Sequence, residues 1–155
     1  MSVAFRRESD EEHLEPKFER PIAPGPNLVT ARGLKLLGDK VTEVEAAVEA
    51  ATDDADRDAL KRELRYWHTR QTTAEVAPVP QDGTVGIGSR VTVRMNKADR
   101  TIEIVGGDEA DPVTGRIGFQ APLAQALIGA EIGERVEFNG VEDAIEILAI
   151  ETIGD

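Results

Sequence analysis

The chain has no cysteine. That excludes disulfides, thiolate nucleophiles and cysteine-based metal sites, and it suits a reducing cytoplasmic setting. The two histidines, His13 and His68, have no partner at zinc-ligand spacing. Aromatic residues make up only 4% of the chain. No apolar run approaches the ~20 residues a membrane-spanning helix needs. The opening Met1–Glu8 has no apolar stretch of signal-peptide length, so a cytoplasmic protein without membrane contact is expected. Basic charge is also scarce: the net charge is -12, and most of it falls after residue 77. A surface this acidic repels phosphate, which argues against DNA or RNA as a direct partner. No P-loop, zinc pattern or nucleophile–base constellation occurs. An independent enzyme is therefore not expected.

What the chain does have is an interrupted hydrophobic seam. Leu34, Leu37, Val41, Val44 and Val48 are spaced 3, 4, 3 and 4. Leu60, Leu64 and Trp67 resume the pattern. Between them lies Thr52-Asp53-Asp54-Ala55-Asp56-Arg57-Asp58, with nothing apolar larger than alanine. Two 3/4 repeats joined by a short polar break predict an antiparallel helical hairpin with carboxylates at its tip. Thr30 is a suitable N-cap for the first helix, predicted to run to about Ala51. Gly33 and Gly38 weaken that helix. Asp53 or Asp54 is placed to cap the second, with Asp56 in its first turn. The second helix is predicted to reach about Glu75, carrying Lys61, Arg62, Arg65 and Arg70 along it. Tyr66 and Trp67 are expected to pack. Residues 1–28, with four prolines, are expected to form an extended or disordered arm.

Pro78, Pro80 and Gly83 mark a linker over 78–84, after which the periodicity becomes two. Arg90–Met95 and Arg100–Val105 alternate as strands around a turn at Asn96–Asp99. Arg116–Phe119 is a short third strand. Pro122 opens a brief helix, with Leu123, Ala126 and Leu127 facing inward and Gly129 ending it. Val136–Phe138 and Ala144–Ile150 are the last strands. The expected fold is α+β: a helical hairpin over 29–77, then an antiparallel sheet with one short helix over 85–155.

The run "VGIGSRVTVRMNKADRTIEIVGGDEADPVTGRIGFQAPLAQALIGAEIGERVEF" resembles the C-terminal domain of the Gre transcription elongation factors (GreA/GreB). "IVGGDEADP", "APLAQALIGAEIGE" and the closing "AIEILAI" carry the likeness most strongly. "MSVAFRRESD" and "NLVTARGLKLL" look like the start of GreB-type members. The resemblance implies a coiled coil joined to an FKBP-like domain, and a partner in bacterial RNA polymerase. It implies that nucleic acid is met only through the polymerase complex. The globular domain would dock at the rim of the secondary channel through the strand-to-helix junction at Gln120, Ala121, Pro122 and Leu123. The tip acids Asp53, Asp54, Asp56 and Asp58 would assist the polymerase's own cleavage of backtracked RNA, with Asp53 and Asp56 helping to hold a Mg²⁺ shared with the polymerase. No tightly bound cofactor is implied, and carboxylates alone suit a Mg²⁺ that keeps most of its waters.

The sequence departs from the cleavage factors in one respect. From Thr30 to Asp53 is about 23 residues, or roughly 35 Å of helix, which is short for the family and similar to Rnk. The family's tip segment, ending in Asn-Ala-Glu-Tyr, is absent. Ala121 also stands where a polar residue is usual. Two modes are therefore open: stimulation of cleavage, or a secondary-channel regulator that competes with Gre factors without cleavage. An FKBP-like prolyl isomerase would need an aromatic pocket, and the C-terminal half offers only Phe119 and Phe138. A coiled-coil assembly module would pair the seam between chains, whereas a monomer is expected.

Overall fold

The computed structural model describes residues 19–153. His13 and most of the expected arm lie outside them. The described residues divide into two units, one of Pro26–Leu36 with residues 74–153 and one of Leu37–Thr73 with residues 19–25.

The hairpin consists of α1 (Ala31–Ala50) and α2 (Asp54–Thr73). Leu37, Val41, Val44 and Trp67 are buried, and Val48, Leu60 and Leu64 are half-buried. Leu34 departs from the expected seam and is exposed. At 100° per residue it lies about 60° round the helix from Leu37, while Gly33 takes the inward position. Asp53 caps α2 by accepting the Asp56 N–H at 3.0 Å. Arg57 donates to the Ala51 carbonyl at 2.7 Å, satisfying an acceptor that the end of α1 leaves open. Helix α2 stops at Thr73, two residues before the predicted end. The chain then enters a strand instead.

That strand, β2 (Glu75–Val76), pairs in parallel with β1 (Leu28–Val29). Neither was expected. Residues 27 and 28, placed in the arm from sequence, belong to this folded ribbon, and Asn27 is buried.

The larger unit is a five-stranded sheet in the order β5-β4-β3-β7-β6. Its strands are β3 (Ser89–Met95), β4 (Ala98–Val105), β5 (Arg116–Gly118), β6 (Arg135–Phe138) and β7 (Val141–Thr152). Asn96 and Lys97 both have φ near +60°, and Met95 pairs with Ala98. The turn is therefore the two-residue kind that suits strand twist, not the four-residue turn expected. Asn139-Gly140 does the same between β6 and β7, starting β7 before the expected Ala144.

The expected all-antiparallel sheet is corrected at β5, which runs parallel to β4. Two short 3-10 turns, Gly107–Glu109 and Pro112–Thr114, reverse the chain before β5, so it re-enters in the direction of β4. One face of the sheet is covered by α3 (Pro122–Leu127). Ala124 and Leu127 are fully buried, whereas Ala126, expected inward, is half-buried. Val85, Val91, Val93, Ile102, Ile104, Ala130, Ile145 and Ile147 complete the core. Burying each valine or isoleucine side chain contributes about 1.5–3 kcal/mol.

Candidate functional site

The tip acids are all exposed. Asp53 spends one carboxylate oxygen on the cap of α2. Asp54 pairs with Arg57 at 2.9 Å, one turn on. Asp56 and Asp58 lie on the first turns of α2. Among the described residues, no group of three or more His, Asp or Glu side chains is gathered to hold a metal ion. The oxygen chemistry suits Mg²⁺, but the ligand count does not make a site by itself. Any ion here needs further ligands from a partner.

The strand-to-helix junction is built by backbone bonds. The Ala121 N–H donates to the Gly118 carbonyl at 2.9 Å, and the Ala121 carbonyl accepts the Gln125 N–H at 2.9 Å. Ala121 has an extended conformation and Pro122 occupies the first turn, where a missing N–H costs nothing. The Gln125 side chain donates to the Phe119 carbonyl at 2.7 Å. Leu123 packs against the core. Gln120 and Pro122 are exposed, and the apolar Ile128 and Ile132 are exposed further along the chain. The junction thus presents a small, rigidly held surface of mixed polarity.

The larger unit also holds a charged network that was not legible from the sequence. Glu103 on β4 accepts from Arg32 at 3.0 Å, Arg90 at 2.8 and 3.0 Å, and Arg116 at 3.2 Å. Burial pushes its pKa up, but these three guanidinium partners outweigh it and hold the carboxyl below the ordinary range. The buried Glu109 pairs with the Arg32 Nε and accepts the Thr30 hydroxyl at 2.6 Å. Thr30 Oγ1 in turn accepts the Gly33 N–H at 2.9 Å, which is the expected cap. A Cβ on Gly33 would come within 2.8 Å of Glu109 Oε1, and one on Gly106 within 2.6 Å of the Leu28 carbonyl oxygen. Both glycines are therefore needed for close approach. The signal was partly present: Arg90, Glu103 and Arg116 are cross-strand neighbours, so knowing the register would have exposed the cluster. Thr30 and Arg32 lie more than 70 positions from their partners, beyond any local pattern.

Along α2, Arg65 binds Glu19 through two bonds of 2.7 Å. Arg62 and Arg70 are half-buried. His68 is exposed, with Glu45 at 3.7 Å. Tyr66 and Trp67 meet edge to face with centroids 5.0 Å apart. No helix among the described residues is long and apolar enough to cross a membrane.

Comparison with known proteins bears on this architecture. The family described as "Transcription elongation factor, GreA/GreB, C-term" matches residues 80–152. Transcription elongation factor GreA of Pseudomonas putida is 31% identical over 156 residues, covering 97% of this chain and 93% of the relative. GreA of Ruthia magnifica is 33% identical, covering 82% of the chain and 80% of the relative. GreA of Rhizobium meliloti is 41% identical over 71 residues, and that match spans 45% of its length. Among solved structures, the GreA factor homolog 1 of Thermus thermophilus aligns with a TM-score of 0.40 at 16% identity, covering 82% of this chain and 99% of that one. The matches to GreA extend beyond the β-sheet unit into the hairpin. The chain therefore belongs to the GreA/GreB family of transcription elongation factors.

Proposed function

We propose that the chain binds bacterial RNA polymerase at its secondary channel and modulates elongation there, in the cytoplasm and as a monomer. In this reading Gln120, Ala121, Pro122 and Leu123 touch the channel rim, and the α1–α2 turn faces the channel. Nucleic acid is met only inside the polymerase complex. Family membership carries the reading, and the junction's exposed, backbone-fixed geometry supports it.

Of the two modes, regulation without cleavage fits the tip better. Helix α1 has 20 residues, about 30 Å at 1.5 Å per residue, a length that supports a short hairpin of the Rnk-like kind. Asp53 and Asp54 are already engaged in capping and in an ion pair. The second reading, cleavage stimulation, draws on Asp53, Asp54, Asp56 and Asp58, which are all exposed at the tip. Asp53 and Asp56 would then add oxygen ligands to a Mg²⁺ shared with the polymerase, with the ion supplying an activated water and charge stabilisation.

A transcript-cleavage assay on stalled elongation complexes separates the modes. The expected result is cleavage no faster than with polymerase alone, for wild type and for Asp53→Asn/Asp56→Asn alike. Stimulated cleavage that the double variant abolishes would establish the second mode.

A further inference from the structure

Outside the tip, the junction and the Arg–Glu network, one cluster is built like a ligand site. The Arg20 guanidinium lies 3.9 Å from the centroid of the Tyr66 ring and 5.1 Å from that of Trp67. Its Nη1 donates to Glu63 Oε1 at 3.0 Å. Two aromatic rings set edge to face, with a carboxylate beside them, offer a guanidinium both a π face and a charge partner. Lys40 is 5.8 Å from the Trp67 centroid, so a second cation already borders that ring.

The occupant is weakly held. The Arg20 and Glu63 side chains are 41% and 42% exposed, and exposed ion pairs are individually weak and screened by salt. Residues 21–26 are all exposed. Glu19, bonded to Arg65, is the neighbouring anchor. Arg65 holds the Glu19 carboxyl below its ordinary range, but that pair too is open to solvent.

We infer that the Tyr66–Trp67–Glu63 face of α2 is a guanidinium-accepting site, filled in cis by Arg20, that takes an arginine side chain of a protein partner when residues 19–20 lift away. Arg20 is tethered in cis through the exposed residues 21–26, which puts its effective concentration in the millimolar range. A partner arginine therefore competes with Arg20 instead of meeting an empty surface. The inference does not depend on the polymerase reading, because it rests on this face of α2 alone.

Trp67 is the single tryptophan of the chain, so its fluorescence reports on the site. The full chain is titrated with the peptide acetyl-Gly-Arg-Gly-amide, and with its citrulline analogue at matched ionic strength. In Arg20→Ala, and equally in Arg20→Gln, the arginine peptide is expected to give a saturable change that the citrulline peptide does not. Wild type is expected to respond with several-fold weaker apparent affinity, and Glu63→Gln in the Arg20→Ala background to weaken the response. The inference is overturned by no saturable response in the Arg20 variants, by an equal response to citrulline, by wild type matching Arg20→Ala, or by indifference to Glu63→Gln.

Discussion

Thr30 donates its hydroxyl to the Glu109 carboxylate at 2.6 Å while accepting the Gly33 N–H at 2.9 Å. One side chain thus caps α1 and ties its first turn to a segment 79 residues further along. Arg32, two residues on, completes the tie by pairing with both Glu103 and Glu109. The first turn of α1 is in this sense part of the β-sheet unit.

Removing Arg32 leaves Glu109, whose side chain is 5% exposed, without its charge partner. Breaking a buried pair from one side costs about 3–5 kcal/mol. Arg32 itself is 29% exposed, so Arg32→Ala is expected to cost less, about 2–3 kcal/mol. Urea unfolding at neutral pH measures this. Arg32→Lys should recover only part of the loss, because an ammonium cannot serve both glutamates with the planar fork.

Glu103→Gln should destabilise in a pH-dependent way. The folded pKa of Glu103 is lowered, so its contribution is fully present above the unfolded value of about 4.3. It is lost as pH falls through the lower folded value. At pH 7 the variant is expected to be less stable by about 1–3 kcal/mol, in line with hydrogen bonds to charged groups. The gap between wild type and variant should narrow as pH falls below about 4.3. A gap independent of pH would mean that the charge of Glu103 contributes nothing.

Two glycines of α1 should respond in opposite directions to the same change. Glycine to alanine in a helix normally gains up to about 1 kcal/mol. At Gly38 a Cβ would sit 3.5 Å from the Gln71 amide nitrogen, an ordinary contact, and Gly38→Ala is expected to stabilise. At Gly33 it would meet Glu109 Oε1 at 2.8 Å and Thr30 Oγ1 at 3.3 Å. Gly33→Ala is therefore expected to destabilise by about 1–2 kcal/mol, within the range for overpacking. Thermal melts of the two variants beside wild type decide this.

Local chemistry made much of the fold legible. The 3/4 spacing from Leu37 to Val48 found α1. The Asp53 side chain marked the start of α2, and the alternation of Arg90–Met95 found β3. Failures came where structure depends on distant partners. The β1–β2 ribbon joins residues on either side of the hairpin, and two residues are too few for a periodicity to register. The direction of β5 depends on the reversal made by two 3-10 turns, which alternation cannot reveal. Gly33 read as a helix weakness because its reason, Glu109, is on another element. The acids of the tip were visible as residues, but their commitments to the Asp56 N–H and to Arg57 required coordinates.

The proposed docking on RNA polymerase runs through the junction at Gln120–Leu123. Its most direct test is displacement of fluorescently labelled GreA from bacterial RNA polymerase by the unlabelled chain, in wild type and Gln120→Ala/Pro122→Ala forms. Both exposed side chains can be truncated without opening the core. The expected result is full displacement by wild type and at least about tenfold weaker displacement by the double variant, a difference of 1.4 kcal/mol or more. Failure of the wild-type chain to displace GreA at any concentration would contradict the claim.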